Sequence, residues 1–312
     1  VDACVRRRWL VIGITVGGCI LLYKIGGGGM GGVYKAHHLA LDIPVAVKLL
    51  HSHLAEKDPI FIRRFIREAR AAAKLQHPNI VGVMNVGFEK GVHFLVMPYV
   101  GGGSAAALLA KIGKLPLAKV LQIGIEISRA LNVAEENTML HRDIKPANIL
   151  FNTRGEAMLA DLGLAKHYLE SQDTGITQTG ITCGTPLYFS PEQAKGSQHL
   201  DIRSDIYSLG ITLYHLLTGS PPFIGESAYV IFQKHVHDPL PPFKESVNIP
   251  LTEEVFQVIF KMTTKKPEDR FQNSHELLQA LEELRRELAE QSKPPMRDRH
   301  KKGLLERLGI KK

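Results

Sequence analysis

The sequence predicts an α+β protein of two lobes, a small strand-rich lobe followed by a larger, mostly helical lobe. Three observations support this fold class. Short β-branched runs and a single helical pattern occupy residues 18–100. The glycine-rich segment GGGS at residues 101–104 then interrupts the chain as a lobe boundary would. The long patterns that follow, up to residue 291, have the helical period.

The bulk composition is that of an ordinary folded protein. The 312 residues are 44% hydrophobic and 22% charged, which suits one large domain or two lobes. The three cysteines have neither paired nor metal-type spacing, so a reducing, cytoplasmic environment is expected. The net charge of +8 arises at the two ends, because residues 25–292 carry only −1. This distribution argues against a nucleic-acid partner, which would need basic residues on a patterned face.

The uncharged stretch WLVIGITVGGCILLY, residues 9–23, allows two interpretations. It follows Arg6, Arg7 and Arg8, as a signal or membrane anchor would. Its 15 residues are fewer than the roughly 20 that a membrane-spanning helix needs. We therefore predict a leader over residues 1–17 and a buried strand from residue 18, with membrane contact as the less favoured alternative. A basic tail is predicted over residues 292–312.

In the first lobe we predict strands and one helix. The runs PVAVKLL and VHFLVMPYV have the short, β-branched composition of strands. Between them, residues 58–76 place Ile62, Phe65, Ile66 and Ala69 at helical spacing. The sequence HPNI ends this helix, because the residue before Pro78 is pushed out of the α region.

In the second lobe we predict long helices over residues 117–137, 204–219, 251–264 and 274–291. The second of these closes on Gly219. The last one has a leucine face opposite a charged face on which Glu282 and Arg286 are paired at i, i+4. The leucines of that face are Leu277, Leu281, Leu284 and Leu288.

The segment HRDIKPANIL, residues 141–150, carries the strongest chemical signal. It supplies Asp143, Lys145 and Asn148 within six positions. An aspartate there can accept or orient a hydroxyl proton, the lysine can neutralise a phosphoryl oxygen, and the asparagine can offer an oxygen to Mg²⁺. Asp161, thirteen residues beyond Asn148, adds a second hard-oxygen ligand.

The run KIGGGGMGGVYKA at residues 24–36 is, taken alone, ambiguous between a flexible linker and a phosphate-binding loop. Lys48 at the end of VAVK and Glu68 twenty residues later are, taken alone, typical of solvated residues. Together with the glycine run they provide a cation for phosphates and a carboxylate that fixes its orientation. The combination therefore favours a phosphate site.

Five motifs, in this order and at these spacings, resemble the signature set of the protein kinases. They are Gly26-x-Gly28-x-x-Gly31-x-Val33, Val45-Ala46-Val47-Lys48, His141-Arg142-Asp143, Asp161-Leu162-Gly163 and Ser190-Pro191-Glu192. The resemblance covers about residues 18–290 and points in particular to the eukaryotic-like serine/threonine kinases of bacteria. It implies a bilobal protein kinase fold, with an N-lobe of residues 18–100 that contains one key helix and a C-lobe of residues 101–291.

The resemblance also implies an active site for ATP and Mg²⁺, with Mn²⁺ as an acceptable substitute. Asp143 would be the base, and Lys145 would steady the transferring γ-phosphoryl group. Lys48 would hold the α- and β-phosphates, positioned by Glu68. The metal ligands would be Asn148 and Asp161.

Around the nucleotide, the resemblance implies contacts from the glycine loop, the neighbouring strand and the hinge. In the hinge, Pro98 replaces a usual acidic residue but keeps the carbonyl that would meet adenine. Val100 would be the other hinge partner, and Met97 would gate the deeper pocket. Ser104 falls where an acidic residue often meets the ribose, so a weaker contact is expected there. The remaining nucleotide-binding residues would be Gly26, Gly27, Gly28, Gly31, Val33 and Ala46.

A regulatory loop and several structural contacts are implied as well. Arg142 would bind a phosphothreonine and so order the loop between residues 161 and 192. The candidate acceptors, with the first two favoured, are Thr177, Thr179 and Thr182. Lys145 together with Thr185 resembles the pattern of Ser/Thr rather than Tyr specificity. Glu192 would pair with Arg270, and Asp205 would brace the catalytic loop.

The function implied is an ATP- and Mg²⁺-dependent protein kinase that phosphorylates Ser and Thr of protein substrates and also its own activation loop, with a homodimer as one route to phosphorylation in trans. Two alternatives belong to other classes. A pseudokinase acting as a binding module would have lost Lys48, Asp143 or Asp161, and all three are present. A small-molecule phosphotransferase would not need GTPLYFSPEQ, which resembles a peptide-docking loop.

Overall fold

The computed structural model of the chain describes residues 12–28, 31–50, 59–162, 186–243 and 252–291. The first part of the described chain forms an antiparallel sheet of six strands in the order β1-β2-β3-β4-β6-β5. The strands are β1 (Thr15–Val16), β2 (Cys19–Gly28), β3 (Gly31–His38), β4 (Ile43–Leu50), β5 (Asn85–Glu89) and β6 (Val92–Pro98).

Within the described part of the uncharged N-terminal stretch, residues 15–16 and 19–23 belong to the sheet. Thr15 and Val16 pair with Ile20 and Cys19, so β1 begins within the segment that the sequence analysis assigned to the leader. Val16, Cys19 and the following Leu21 are buried. The predicted boundary at residue 17 is therefore too late, because the turn at residues 17–18 folds the preceding residues back onto β2.

Strand β4 lies inside the sheet, and apolar groups cover both of its faces. Val45 and Val47 point into one apolar cluster, and Ala46 points into another that includes Phe65. This placement explains the nearly continuous apolar sequence of the strand. Because side chains alternate along a strand, Lys48 emerges on the same face as Ala46.

Helix α1 (Pro59–Ala72) packs on that face of the sheet. As predicted, its buried side chains are spaced three and four apart: Ile62, Phe65 and Ala69 are buried and Ile66 is partly buried. Pro59 opens the helix at a position that needs no backbone N–H donor.

The rest of the described chain is mostly helical, with a short hairpin formed by β7 (Ile149–Phe151) and β8 (Ala157–Leu159). The four predicted helices are present, and Gly219 ends α5 in the left-handed conformation at φ +83°. The helices are α2 (Ala105–Ile112), α3 (Leu117–Glu136), α4 (Pro191–Ala194), α5 (Ile202–Thr218), α6 (Ala228–His237), α7 (Thr252–Met262) and α8 (Ser274–Gln291).

Helix α8 packs along α3, and one predicted contact within it is different. The leucine face is correct, since Leu277, Leu281 and Leu284 are buried. Glu282, however, contacts Arg129 of α3 at 2.7 Å instead of pairing with Arg286. The neighbouring helix offers a cation at short range, and an exposed i, i+4 pair is worth only a few tenths of a kcal/mol. Among the helices that the structure describes, none has both the length and the apolar character needed to cross a membrane.

Candidate active site

The segment between α3 and β7 is anchored by hydrogen bonds to Asp205, a fully buried residue on α5. Its two carboxylate oxygens accept hydrogen bonds from the backbone N–H groups of His141 and Arg142, both at 2.7 Å. Burial raises the pKa of Asp205, although these two amides and the neighbouring charges oppose the shift. Two short bonds to one carboxylate fix Arg142 in the left-handed region, at φ +66°.

His141 connects this loop to the residue before Asp161. Its ring nitrogen Nδ1 accepts from the backbone N–H of Asp143 at 3.2 Å, so the ring proton lies on Nε2. That Nε2–H donates to the carbonyl of Ala160 at 2.7 Å. A single buried imidazole therefore sets the distance between the two acidic segments of the site.

Asp143, Lys145 and Asn148, which the sequence analysis selected from one motif, form a contiguous polar cluster. The Lys145 ammonium contacts Asp143 Oδ2 at 2.8 Å. The side-chain amide of Asn148 donates to the same Oδ2 at 3.0 Å and to the Asp143 carbonyl at 2.7 Å. The Asp143 carboxylate thus has a cation and an amide donor on one oxygen, and its orientation is fixed by both.

Lys48 and Asp161 join the sheet to the helical part of the chain. Lys48 Nζ lies 2.9 Å from Asp161 Oδ1, and the Lys48 side chain is mostly buried. Burial works to raise the pKa of Asp161, but Lys48 first, then His141 and Lys145, outweigh it and hold that pKa below its usual value. Asp161 is therefore a carboxylate at neutral pH.

Glu68 differs from the prediction that it positions Lys48. Glu68 lies on α1 and is half-buried, but among the residues that the structure describes the ion pair of Lys48 is with Asp161. A lysine largely removed from water needs a counter-ion within a few ångströms. The carboxylate of Asp161 fills that place, so Lys48 is held without Glu68.

The nucleotide-site residues predicted on the sheet and hinge lie around one apolar cluster. Ala46 and Met97 are buried in it, and Val33 and Val100 pack against it. The register of β4 and β6 sets Ala46 opposite Met97 and Val45 opposite Pro98. This surface, next to Lys48, is apolar where adenine would lie and cationic where phosphates would lie.

The glycine run forms the end of the β2–β3 hairpin. Gly26 is opposite Val33, Gly27 is opposite Gly32 and Gly28 is opposite Gly31, and residues 29 and 30 are outside the described residues. Residues 26–28 and 31–33 of the run are therefore paired strand residues in the sheet, which excludes the interpretation of the run as a flexible linker.

Ser104 has a structural contact that the sequence analysis did not anticipate. Its hydroxyl oxygen accepts from the backbone N–H of Ala107 at 3.1 Å and so caps α2. Its backbone also bridges to Leu150 on β7. The predicted ribose contact would have to come from a hydroxyl that already accepts one hydrogen bond.

Glu192 and Arg270 form a two-pronged ion pair, with N–O distances of 2.8 and 2.9 Å. Arg270 is almost fully buried, and its other N–H groups donate to backbone carbonyls at 2.8–3.0 Å. Burial works to raise the pKa of Glu192, but Arg270 and the Ser204 hydroxyl hold it below its usual value. This is the pairing that the resemblance implies.

Gln193 is a residue that the sequence analysis missed. Its side-chain oxygen accepts from the backbone N–H of Ser190, and Ser190 Oγ accepts from the Gln193 N–H, which together form a capping box. The Gln193 amide also donates to the carbonyl of Arg142 at 2.9 Å. The sequence SPEQ has the spacing of a capping box, so the pairing of Ser190 with Gln193 could have been predicted from it, whereas the contact with Arg142 could not.

Four predicted site residues, Thr177, Thr179, Thr182 and Thr185, lie outside the described residues. The roles assigned to them, and the binding of a phosphothreonine by Arg142, therefore remain predictions.

The donor set at Asn148 and Asp161 fits a hard divalent cation. Asn148 turns its side-chain nitrogen to Asp143, which leaves the amide oxygen as the possible ligand. Asp161 follows Ala160, whose N–H donates to the Asn148 carbonyl at 2.9 Å. Within the described ranges no group of three or more His, Cys, Asp and Glu is placed to hold a metal. Two protein oxygens are what Mg²⁺ ordinarily takes when phosphates complete its shell.

These features define a class of protein. A strand-rich part joined to a mostly helical part is the architecture that the sequence motifs implied, and residues 20–281 match the protein kinase domain family. The chain belongs to that family. The resemblance and the bilobal kinase fold are thereby confirmed.

Particular relatives are serine/threonine kinases of bacteria. The chain is 40% identical over 258 residues to the serine/threonine-protein kinase PknB of Mycobacterium leprae, and 39% identical over 269 residues to a probable serine/threonine-protein kinase of Clostridium perfringens. These alignments cover 81% and 86% of this chain but only 40% and 38% of the relatives, so the chain spans about two fifths of their length. A crystal structure of the Mycobacterium tuberculosis PknI kinase domain superposes with a TM-score of 0.68 at 31% identity, covering 87% of this chain and 97% of that one.

Proposed function

We propose that the chain is an ATP-dependent protein kinase that phosphorylates serine and threonine hydroxyls of proteins. The observation that carries the proposal is the cluster of Asp143, Lys145 and Asn148 beside the Lys48–Asp161 pair. The names of the relatives, serine/threonine-protein kinases, support the choice of acceptor. Phosphoryl transfer needs little covalent chemistry from the protein, so positioned charges of this kind are sufficient.

In the proposed reaction Asp143 accepts the proton of the substrate hydroxyl while the hydroxyl oxygen bonds to the γ-phosphorus of ATP. The bond between that phosphorus and the β,γ-bridging oxygen breaks, and ADP leaves with its electron pair. Lys145, already 2.8 Å from Asp143, offers its charge to the oxygens of the group in transit. Asn148 holds the Asp143 carboxylate in place throughout.

ATP would be bound at the junction of the sheet and the helical part. Lys48 would exchange Asp161 for the phosphates, and Glu68 would then be the carboxylate that orients it. Asn148 and Asp161 would hold Mg²⁺ or Mn²⁺, which supplies charge neutralisation on the phosphates when bound. The glycine hairpin would cover the phosphates, and the apolar cluster around Ala46 would receive adenine.

Autophosphorylation is part of the proposal. Thr177 and Thr179 are the favoured acceptors, Arg142 would bind the product phosphothreonine, and a homodimer is one route to transfer in trans. A cytoplasmic location of this domain stays a prediction of the sequence.

The test is transfer of radiolabelled phosphate from ATP to a generic protein substrate and to the chain itself, with the labelled residues mapped by mass spectrometry. We expect Asp143→Asn to reduce transfer by about 10²–10⁴-fold, the range ordinarily lost with a general base. Asp42→Asn is the matched control, because Asp42 is exposed at the β3–β4 turn and its side chain pairs with His37, away from Asp143.

Equal label with wild type and Asp143→Asn would contradict the proposal. Wild type that binds nucleotide without transferring label would instead favour the binding-module alternative.

A further inference from the structure

A pocket of about 420 Å³ lies directly beside the proposed acceptor site. Its walls are helix α2, residues 145–147 of the catalytic loop, Tyr188 and the end of α5 at His215 and Gly219. Lys145 belongs both to this wall and to the pair with Asp143. The pocket is therefore continuous with the place where a substrate hydroxyl would be activated.

The chemistry of the walls is apolar. Five of the eight side chains in the lining are carbon-only, and they come from α2 and the loop: Ala106, Leu109, Ala110, Pro146 and Ala147. No aspartate or glutamate lines the pocket within the described chain.

The polar groups in the lining are already engaged with protein partners. The Tyr188 hydroxyl and His215 Nδ1 share a hydrogen bond of 2.8 Å. Burial lowers the pKa of His215, so the imidazole is neutral at physiological pH. Lys145 directs its ammonium to Asp143. The pocket thus offers apolar contact without a free counter-charge for a basic side chain.

We propose that this pocket is a subsite for an apolar side chain of the protein substrate, borne close in sequence to the accepting serine or threonine. The inference rests on the proposed function and adds a substrate preference to it. Burial of an apolar side chain in the pocket is favourable, because such a side chain has no polar group that would lose its hydrogen bonds to water. A lysine or arginine would lose hydration, find no carboxylate among the described residues that line the pocket, and lie near the charge of Lys145.

The α2 helix offers a matched pair of positions for a test. Ala106 lines the pocket, whereas the neighbouring Ala107 is exposed and lies outside the lining. Both occupy the first turn of the helix, so an aspartate at either one has a similar effect on helix stability. Ala106→Asp would place a carboxylate in the wall of the pocket, and Ala107→Asp would place it in solvent.

The experiment measures kcat/KM for threonine peptides in which each position flanking the acceptor carries Leu, Ala or Arg in turn. For wild type we expect one flanking position at which Leu exceeds Arg by about tenfold or more, as for apolar pockets in general. Ala106→Asp should reduce or reverse that ratio at the same position by about tenfold, and Ala107→Asp should leave the ratio as in wild type.

Two results would overturn the subsite. One is phosphorylation of all peptides at similar rates whatever residue flanks the acceptor. The other is an equal effect of Ala106→Asp and Ala107→Asp on the Leu-to-Arg ratio, since that would place the discrimination elsewhere. Failure of wild type to label any peptide or protein above the Asp143→Asn background contradicts the proposed function itself and is distinguishable from both.

Discussion

Gly31 lies on β3 directly against β4, and a Cβ atom there would overlap the backbone carbonyl of Leu49. Gly26, on the opposite strand of the same hairpin, is exposed, and a Cβ there would meet only Val33 at 3.9 Å. The first glycine is thus required by the packing of two strands, and the second has room for a small side chain.

At the residue scale we predict that Gly31→Ala lowers the free energy of unfolding by about 1–3 kcal/mol, because the added methyl forces two paired strands apart. Gly26→Ala, the matched control, should change it by no more than about 0.5 kcal/mol. Urea denaturation of both variants measures the difference. Equal destabilisation would show that the hairpin does not pack as described.

At the scale of elements, Lys265 ties α6 to the turn that follows α7. Its ammonium donates to the carbonyl of His235 at 2.8 Å and lies 4.4 Å from the centre of the Phe223 ring. Burial is the main cause that lowers the pKa of Lys265 to about 8, with a smaller contribution from Arg270.

This contact predicts a pH-dependent stability. Between about pH 8 and the usual lysine pKa near 10.5, the unfolded chain keeps a proton at Lys265 that the folded chain has released. Raising the pH through this window therefore stabilises the fold. We expect wild type to gain about 1–2 kcal/mol relative to Lys265→Met from pH 8 to pH 10, after allowance for partial exposure of the side chain.

The measurement is urea denaturation of wild type and Lys265→Met at both pH values. The free energy of unfolding of the variant is subtracted from that of wild type at each pH, so that the titration of the other lysines and the tyrosines cancels. An unchanged difference between pH 8 and pH 10 would mean that Lys265 keeps its ordinary pKa in the fold.

The elements predictable from sequence were those long enough to repeat a pattern. Helices α3, α5, α7 and α8 each place apolar residues at helical spacing over three turns or more, and all four are present. Strand β1 has two residues and α4 has four, which is too short for any period to appear. Helix α2 begins with three alanines, whose weak hydrophobicity marks no face.

The sequence identified residues that lie together in the structure, but it did not identify all of their contact partners. Asp143, Lys145 and Asn148 lie within six positions, so local spacing brought them together. Lys48 and Asp161 are more than a hundred residues apart, and which carboxylate Lys48 contacts depends on how α1 and the sheet pack. The resemblance to the protein kinases assigned Glu68 to Lys48, whereas the packing of the chain brings Asp161 to it.

At the scale of the whole molecule, the sheet and the helical part are joined where ATP is proposed to bind. Asn79 and Val81, between α1 and β5, exchange backbone hydrogen bonds of 2.8 and 2.9 Å with Leu159 of β8. The Lys48–Asp161 pair lies at the same junction. A ligand that engages both Lys48 and Asp161 would therefore stabilise both parts together, and its effect should appear in global unfolding.

We accordingly predict that Mg·ADP at about 100 times its Kd stabilises the chain by about 2.7 kcal/mol. For a domain of this size that free energy raises Tm by about 5–10 °C. Lys48→Met should lose most of the increase, because the cation for the phosphates is gone. Asp161→Asn should lose the part that depends on Mg²⁺, seen by comparing Mg·ADP with ADP in EDTA. Lys111→Met is the matched control, since Lys111 is exposed on α2 and should keep the wild-type increase.

Because each variant is compared with itself in the absence of nucleotide, any change in its intrinsic stability does not enter the result. Differential scanning fluorimetry over a nucleotide titration gives both the Tm increase and its concentration dependence. An increase in Lys48→Met as large as in wild type would place nucleotide binding away from the junction. An increase in wild type and Lys111→Met alone would show that Lys48 and Asp161, which hold each other in the ligand-free chain, are the groups that the nucleotide recruits.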